Sequence, residues 1–428
     1  MVANWLNNSR CVVLLCAGAL QSALLPLFAG EVLPIQVQEP AGIRRFGYPV
    51  GVRLQLPAAV SRTTAFRLLD GDKPLAAQFR PESDGPAGAE SDRWWLDFNV
   101  DLLPYESRRF RVEYGSDVPA ATEPRSGLAL TEAEDAFQVA NAPYLCWTIP
   151  RDLQGLLRSV VAGAAEQVKP DSPGLVLHGK DGTRYRLTGE KRAGKETAAH
   201  VVRQGRLAVA LRFERRESGG PLADVESVVD LEFVASKSWV RVDWCVNDPR
   251  GTVGGLGTEL HLNLDAPSPA QPTLVDFGAT TMVYAKLGPK ERAALRAGAT
   301  VPAPSSPASA SSYSWAVLRG PADALAPFVV GPKQKDAVSR PEGWAHVMDR
   351  RRCLALAVDG FARGTRDHIA VSAEGEVSLL RQLAEPGVAP PAGCKQLRFW
   401  LHFVQNPPHI SAATSPQSMQ TPLMVGRP

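Results

Sequence analysis

Helical periodicity is nearly absent from these 428 residues, so helical bundles are excluded and strands are left to build the core. The best helical candidate is Pro289–Ala297 (PKERAALRA), a short polar segment whose leading proline suits a first helical turn. Concentrated positive charge is also missing. The formal net charge is +3 with Lys and Arg spread along the chain, and no stretch gathers the basic footprint that nucleic acid requires. Arg350-Arg351-Arg352 comes nearest and reads as the solvated start of a strand. No C-x-x-C pair occurs, which excludes zinc knuckles and thioredoxin-like chemistry. The sequence has no G-x-S-x-G, H-E-x-x-H, Walker loop or G-x-G-x-x-G after a strand. The glycines of Gly251–Gly257 (GTVGGLG) lack the lysine and following helix of a phosphate loop and read as a flexible hairpin loop. Asp70-Gly71-Asp72 lacks the ligand spacing of a calcium loop and reads as a turn. No cofactor and no metal are expected.

What is present begins with an export signal. Arg10 closes a polar segment, and Cys11–Ala29 carries no charge. A basic residue before an apolar stretch marks a secretory signal over residues 1–30, with cleavage expected before Glu31. Secretion or a periplasmic location follows. About 20 apolar residues can also span a bilayer, so a membrane association is expected only where this segment stays uncleaved. Cys11 and Cys16 leave with the signal, and Cys146, Cys245, Cys353 and Cys394 remain. These four permit three full pairings in an oxidising compartment or serve as buried thiols, and spacing does not choose between them.

Period-two alternation broken by Gly, Pro, Asn and Asp fills the rest, giving an all-β expectation. Residues 31–115 hold short, closely spaced strands at Val50–Leu56, Ala65–Leu69, Trp94–Asn99 and Arg108–Tyr114, which fit a small barrel or sandwich. Residues 116–130, which open in the Pro-rich stretch GSDVPAATEPRS, read as a linker. Residues 131–428 read as a large antiparallel two-sheet sandwich. Its clearest element is a hairpin, Ser227–Ala235 and Trp239–Asn247, with Val240, Val242, Trp244 and Val246 on one face. The low-complexity stretch Ala299–Ser312 reads as a surface loop.

Three pieces of the first unit, RFGYPVGVRLQLP, FRLLDGDKPLAAQF and DRWWLDFNVDLLPYESRRFRVEYG, resemble the N-terminal barrel of exo-acting rhamnogalacturonan lyases. In the second unit LEFVASKSWVRVDWCVND, WAHVMDRRRCLALAVDGF and the later EVSLLRQLAEP and LRFWLHF resemble that family's central supersandwich-like domain. The resemblance implies polysaccharide, pectic in the family, as the ligand. In that family a helical toroid follows the sandwich and carries the catalytic groove. This sequence ends at Pro428, so no such compartment is expected and no catalytic residue of the family is carried over.

Candidate residues therefore come from residue chemistry. His346 and Asp349 lie three apart beside Trp344, and with Arg351 they offer the base and cation of a lyase, although positions three apart on a strand face opposite ways. Arg241, Asp243 and Asn247 form the polar face of the hairpin and can hold sugar hydroxyls or uronic carboxylates. Trp344 reads as an exposed platform for a sugar ring, and Trp95 as the outward member of the Trp94–Trp95 pair. Trp147 and Trp244 read as core. Three functions follow: an exported protein that binds polysaccharide or assists a separately encoded catalytic protein; a lyase or hydrolase with its groove on the sandwich; or a non-enzymatic envelope protein offering a surface to another protein.

Overall fold

A computed structural model describes residues 31–82, 89–124, 127–187, 198–217, 220–303, 306–333, 340–385, 387–405 and 415–426. The export signal expected over residues 1–30 lies outside the described residues. Among these, the helical content is one short α-helix, Ser415–Gln420, and a single 3-10 turn, Gly220–Leu222. No described helix is long and apolar enough to cross a membrane. The fold is all-β, built from open antiparallel sheets.

The small unit packs two sheets. One holds Glu31–Gln38 between Ser107–Tyr114 and Met424–Gly426, and extends through Phe66–Asp70 to Lys73–Leu75; the other joins Arg45–Ser61, Glu90–Leu102 and Ala77–Pro81. Alternation points Leu33, Ile35 and Val37 inward against Leu54, Leu96 and Phe98. Phe66 is the centre of this core, with Phe79, Trp94 and Tyr114 ring centroids at 4.9, 4.4 and 5.4 Å. Asp70-Gly71-Asp72 is a tight turn with Gly71 at φ +60°, a conformation glycine adopts without steric cost.

The chain's last described segment returns to this unit rather than staying with the large one. Met424–Gly426 pairs with Gln36–Gln38, and the helix before it is held by Arg45, whose guanidinium donates to the Ser418 and Thr421 carbonyls at 2.8 and 2.6 Å. Residues 424–426 thus belong to the small unit's sheet. A three-residue strand is too short for alternation to reveal.

The large unit is a layered sandwich. Among the described residues, one sheet runs in the order 198–203, 208–216, Glu226–Val234, Trp239–Asp248, Gly393–Gln405, Arg352–Val358, Trp344–Met348, Thr273–Gly278, Met282–Leu287. The second runs Arg184–Arg186, Gly174–Gly179, Val253–His261, Glu376–Gln382, Arg366–Ser372, Glu291–Ala297, Trp315–Pro321, Ala326–Val330. A smaller sheet from Ala129–Glu132 to Ala165–Glu166 shares their core. Trp147 and Trp244 are fully buried there, Trp147 against Phe233 at 5.0 Å. The hairpin forms, with Phe233 opposite Val240.

Three local expectations fail. Pro289–Ala297 is not helical: Glu291–Ala297 is a strand laddered to Trp315–Pro321 and Arg366–Ser372, with Ala293, Leu295 and Ala297 facing the core. Non-local pairing on both edges outweighs the intrinsic helical preference of Ala, Arg and Glu, which tertiary context overrides. The glycine run is no loop, because Val253–His261 sits between two neighbours in the second sheet. Part of Ala299–Ser312 forms a two-stranded ribbon, Thr300–Ala303 with Ser306–Ser312.

Candidate functional site

The outer face of the first large sheet carries most of the residues singled out from sequence, and their partners are protein groups. Arg241 pairs with Asp243 at 2.9 Å and Glu232 at 2.6 Å, and Asp243 also takes the Arg398 guanidinium. Arg241 and Asp243 are members of a cross-strand charge ladder, while Asn247 lies exposed at its end. Trp94 is buried and donates its indole N–H to the Ser91 carbonyl. Trp95 points outward as expected, but it is sandwiched: the Arg53 and Arg203 guanidiniums each lie 4.8 Å from its ring. It is therefore no open platform.

Trp344 corrects the sequence reading most clearly. It is 4% exposed, donates to the Glu342 carboxylate at 2.6 Å, and fills space that a Cβ on Gly278 would occupy 2.1 Å from its Nε1. Tyr48 of the small unit and Met419 of the C-terminal helix belong to the same apolar cluster. His346 is 2% exposed beside it, with Nδ1 3.7 Å from the Asp276 carboxylate. Asp349 does not join His346. It accepts the backbone amides of Asp265, Arg351 and Arg352 in an exposed turn, where Arg351 pairs with Asp265. The acid–base pairing of His346 with Asp349 or Arg351 is thus not assembled. In strand register Asp276, His346, Ala355, His402 and Trp239 form one row. Burial, then the neighbouring His346 and Lys237, push the His402 imidazole down to about 4.

The outer face of the second sheet differs. His178 and His368 are half-buried on it, because Leu175, Leu177, Ile369 and Val371 take the core side of the same strands. Burial is the main cause that pushes both imidazoles down to about 4, with Arg184 acting on His178 and Arg296 with His178 acting on His368. Each ring is therefore neutral at pH 7, one nitrogen donating and the other accepting. Two buried glycines, Gly255 and Gly257, stand beside His178. A Cβ on Gly257 would stand 3.5 Å from His178 Nε2 and 2.6 Å from the Leu379 carbonyl oxygen, and one on Gly255 would stand 3.4 Å from His178 Cβ. Leu380 lies between Gly257 and His368, and Arg296 is paired in register beside His368. The carboxylates on this face, Glu259 and Glu376, are paired with Arg184 and Arg292. Sequence reasoning missed both histidines, although the alternation in LVLHG and RDHIAVS places them opposite the core residues. Among the described residues no cluster of three His, Cys, Asp or Glu side chains has metal-binding geometry.

No protein-family model matches the sequence, and no curated protein matches it significantly. Solved structures do. A protein of glycosyl hydrolase family 38 from Enterococcus faecalis overlays 92% of this chain and 47% of its own at TM-score 0.57 and 10% identity. An α-mannosidase from Enterococcus faecalis V583 overlays 92% of this chain and 46% of its own at TM-score 0.54 and 10% identity. The chain spans about half the length of these structures. At such identity the likeness is one of fold. A galactose mutarotase-like protein from Lactobacillus casei covers 65% of this chain at TM-score 0.32, too loose an overlay to argue from. None of the three is a rhamnogalacturonan lyase.

Proposed function

We propose that this chain is an exported carbohydrate-binding protein whose sugar-facing surface is the outer face of the second large sheet. The observation that carries the reading is the pair of neutral, half-buried histidines, His178 and His368, on one outer face with the half-buried Leu380 and the buried Gly255 and Gly257 between them. Neutral imidazoles exchange hydrogen bonds with sugar hydroxyls in both directions, and the half-buried Leu380 offers an apolar contact between them. Arg296 adds a guanidinium suited to a uronic carboxylate, in keeping with the motif resemblance to pectin-active lyases. The sandwich shared with family 38 glycosidases supports a carbohydrate-associated role, and the proposed compartment is secreted or periplasmic. Binding is favoured over hydrolysis because glycoside cleavage needs two available carboxyl groups, and Glu259 and Glu376 are tied to arginines. The protein then assists a separately encoded catalytic partner.

Retention on an array of neutral and uronate-containing polysaccharides tests this. The wild-type chain is expected to bind at least one class, and the folded H178A/H368A variant to bind at least about tenfold more weakly, as two lost hydrogen bonds imply. No retention of the wild type, or undiminished retention of the variant, overturns it. Near-ultraviolet absorbance from unsaturated uronates on incubation with pectic fragments replaces binding with lyase chemistry.

A further inference from the structure

We propose that Cys245 and Cys394 form a disulfide bond across two neighbouring strands of the first large sheet once the protein meets an oxidising compartment. The strands Trp239–Asp248 and Gly393–Gln405 are paired, with Cys245 opposite Gln396 and Asn247 opposite Cys394. The two cysteines are therefore diagonal neighbours on the same outer face. Diagonal positions in a flat sheet stand about 7–8 Å apart at Cα, beyond the ~7 Å that a disulfide bridges without backbone movement, and here the thiols nevertheless touch. Their sulfurs lie 2.8 Å apart, so a further approach of under about 1 Å, by side-chain rotation with a small strand adjustment, brings them to the ~2.04 Å of a covalent bond. Cys394 is exposed and Cys245 half-buried, which gives the pair an entry side and a held side. Among the described residues Cys146 and Cys353 have no such neighbour: Cys146 stands opposite Val161 and Ala140, and Cys353 opposite Met348 and Val404. Of the three pairings that sequence leaves open, only the one joining Cys245 to Cys394 starts from sulfurs in contact among the described residues.

The chemistry is thiol–disulfide exchange with a small-molecule or protein disulfide as oxidant. The exposed Cys394 thiol loses its proton to solvent and attacks the oxidant, forming a mixed disulfide and releasing one thiolate. Cys245 then loses its proton and attacks Cys394 Sγ, releasing the second thiolate. Two protein thiols are oxidised to one disulfide, and the oxidant's disulfide is reduced to two thiols, which take up the two protons. As a free thiol Cys245 is pushed up to about 12 by burial and by the contact with Cys394, so the exposed partner reacts first. The bond would close a loop of 149 residues. Val253–His261, Glu291–Ala297, Trp315–Pro321, Arg366–Ser372 and Glu376–Gln382, central strands of the second sheet, all lie inside that loop.

Equilibrating the folded, reduced full chain with oxidised glutathione, then alkylating in denaturant and digesting with trypsin, tests the inference. The expected result is the peptide 242–250 (VDWCVNDPR) joined to 382–395 (QLAEPGVAPPAGCK), with Cys146 and Cys353 recovered alkylated. Reductant is expected to lower the Tm of the oxidised wild type and to leave that of C394S unmoved. Separate alkylated peptides, Cys394 joined to glutathione alone, or a bond to Cys146 or Cys353 overturns it, as does a reductant effect of equal size in both proteins. These readouts are independent of any glycan.

Discussion

The two outer faces of the large sandwich are built from the same alternating strands, yet one is covered and the other half open. On the first sheet, Trp239, Trp344 and Trp400 are buried with Tyr48 and Met419 from the small unit and the returning C-terminal helix. On the second sheet, His178 and His368 keep part of their surface in solvent, while Gly255 and Gly257 between them are buried. What separates them is a distant segment that docks on one face only. An aromatic side chain therefore marks the face used for assembly, and the smaller polar groups mark the face available to a ligand.

The largest expected effect comes from uncovering the first face. Glu39 and Arg45 form a buried pair at 2.8 Å, side chains 0% and 1% exposed. Burial works against the Glu39 carboxylate, but Arg45 and the backbone amides of Tyr105, Ala41 and Ile43 outweigh it and hold its pKa below the usual range. Arg45→Met leaves that carboxylate buried without its cation and frees the Ser418 and Thr421 carbonyls, a loss of about 3–5 kcal/mol. Chemical denaturation measures the loss, and limited proteolysis is expected to release the segment after Gln405 first. An unchanged midpoint contradicts the strapping role.

Next is Trp344→Ala, which opens a cavity and costs about 3–5 kcal/mol, the lower end if Tyr48 and Met419 collapse inward. Glycan retention by the folded fraction is expected to stay at the wild-type level, because this tryptophan lies under the cover. A weakened affinity with normal stability places the ligand on the wrong face of the proposal above.

Acidification compares the faces directly. His178 and His368 on one face and His402 on the other are each held to about 4, well below the ordinary imidazole. Between about 6.5 and 4 the unfolded chain binds protons that the folded chain refuses, so stability present above 6.5 drains away as pH falls. The half-buried His402, the more enclosed of the two rings, contributes on the order of 2 kcal/mol, and the half-buried His178 less. Tm followed from pH 7 to pH 4 should fall, with a shallower slope in His402→Asn than in His178→Asn. Equal slopes contradict the difference in cover.

Legibility from sequence follows the same division. Alternation located the hairpin Glu226–Val234 and Trp239–Asp248, the small unit's strands and the core roles of Trp147 and Trp244, because each of these is set by side chains within one strand. It could not show that Trp344 is covered, since Tyr48 and Met419 lie hundreds or dozens of residues away. Glycine and alanine content misled at Val253–His261 and Glu291–Ala297, where ladder partners on both sides decide the conformation. His178 and His368 were readable by register but carry no motif. The thiol contact needed the pairing of strands separated by 149 residues.

The return of Met424–Gly426 to Gln36–Gln38 has a bearing on how the polypeptide is made. While a ribosome extends the chain, the first described strand gains Ser107–Tyr114 early on one side and waits through more than three hundred residues for the other. Throughout that interval its free amides and carbonyls are a template for a neighbouring nascent chain. Safe synthesis of this molecule thus depends on keeping that edge occupied or isolated until its last partner emerges.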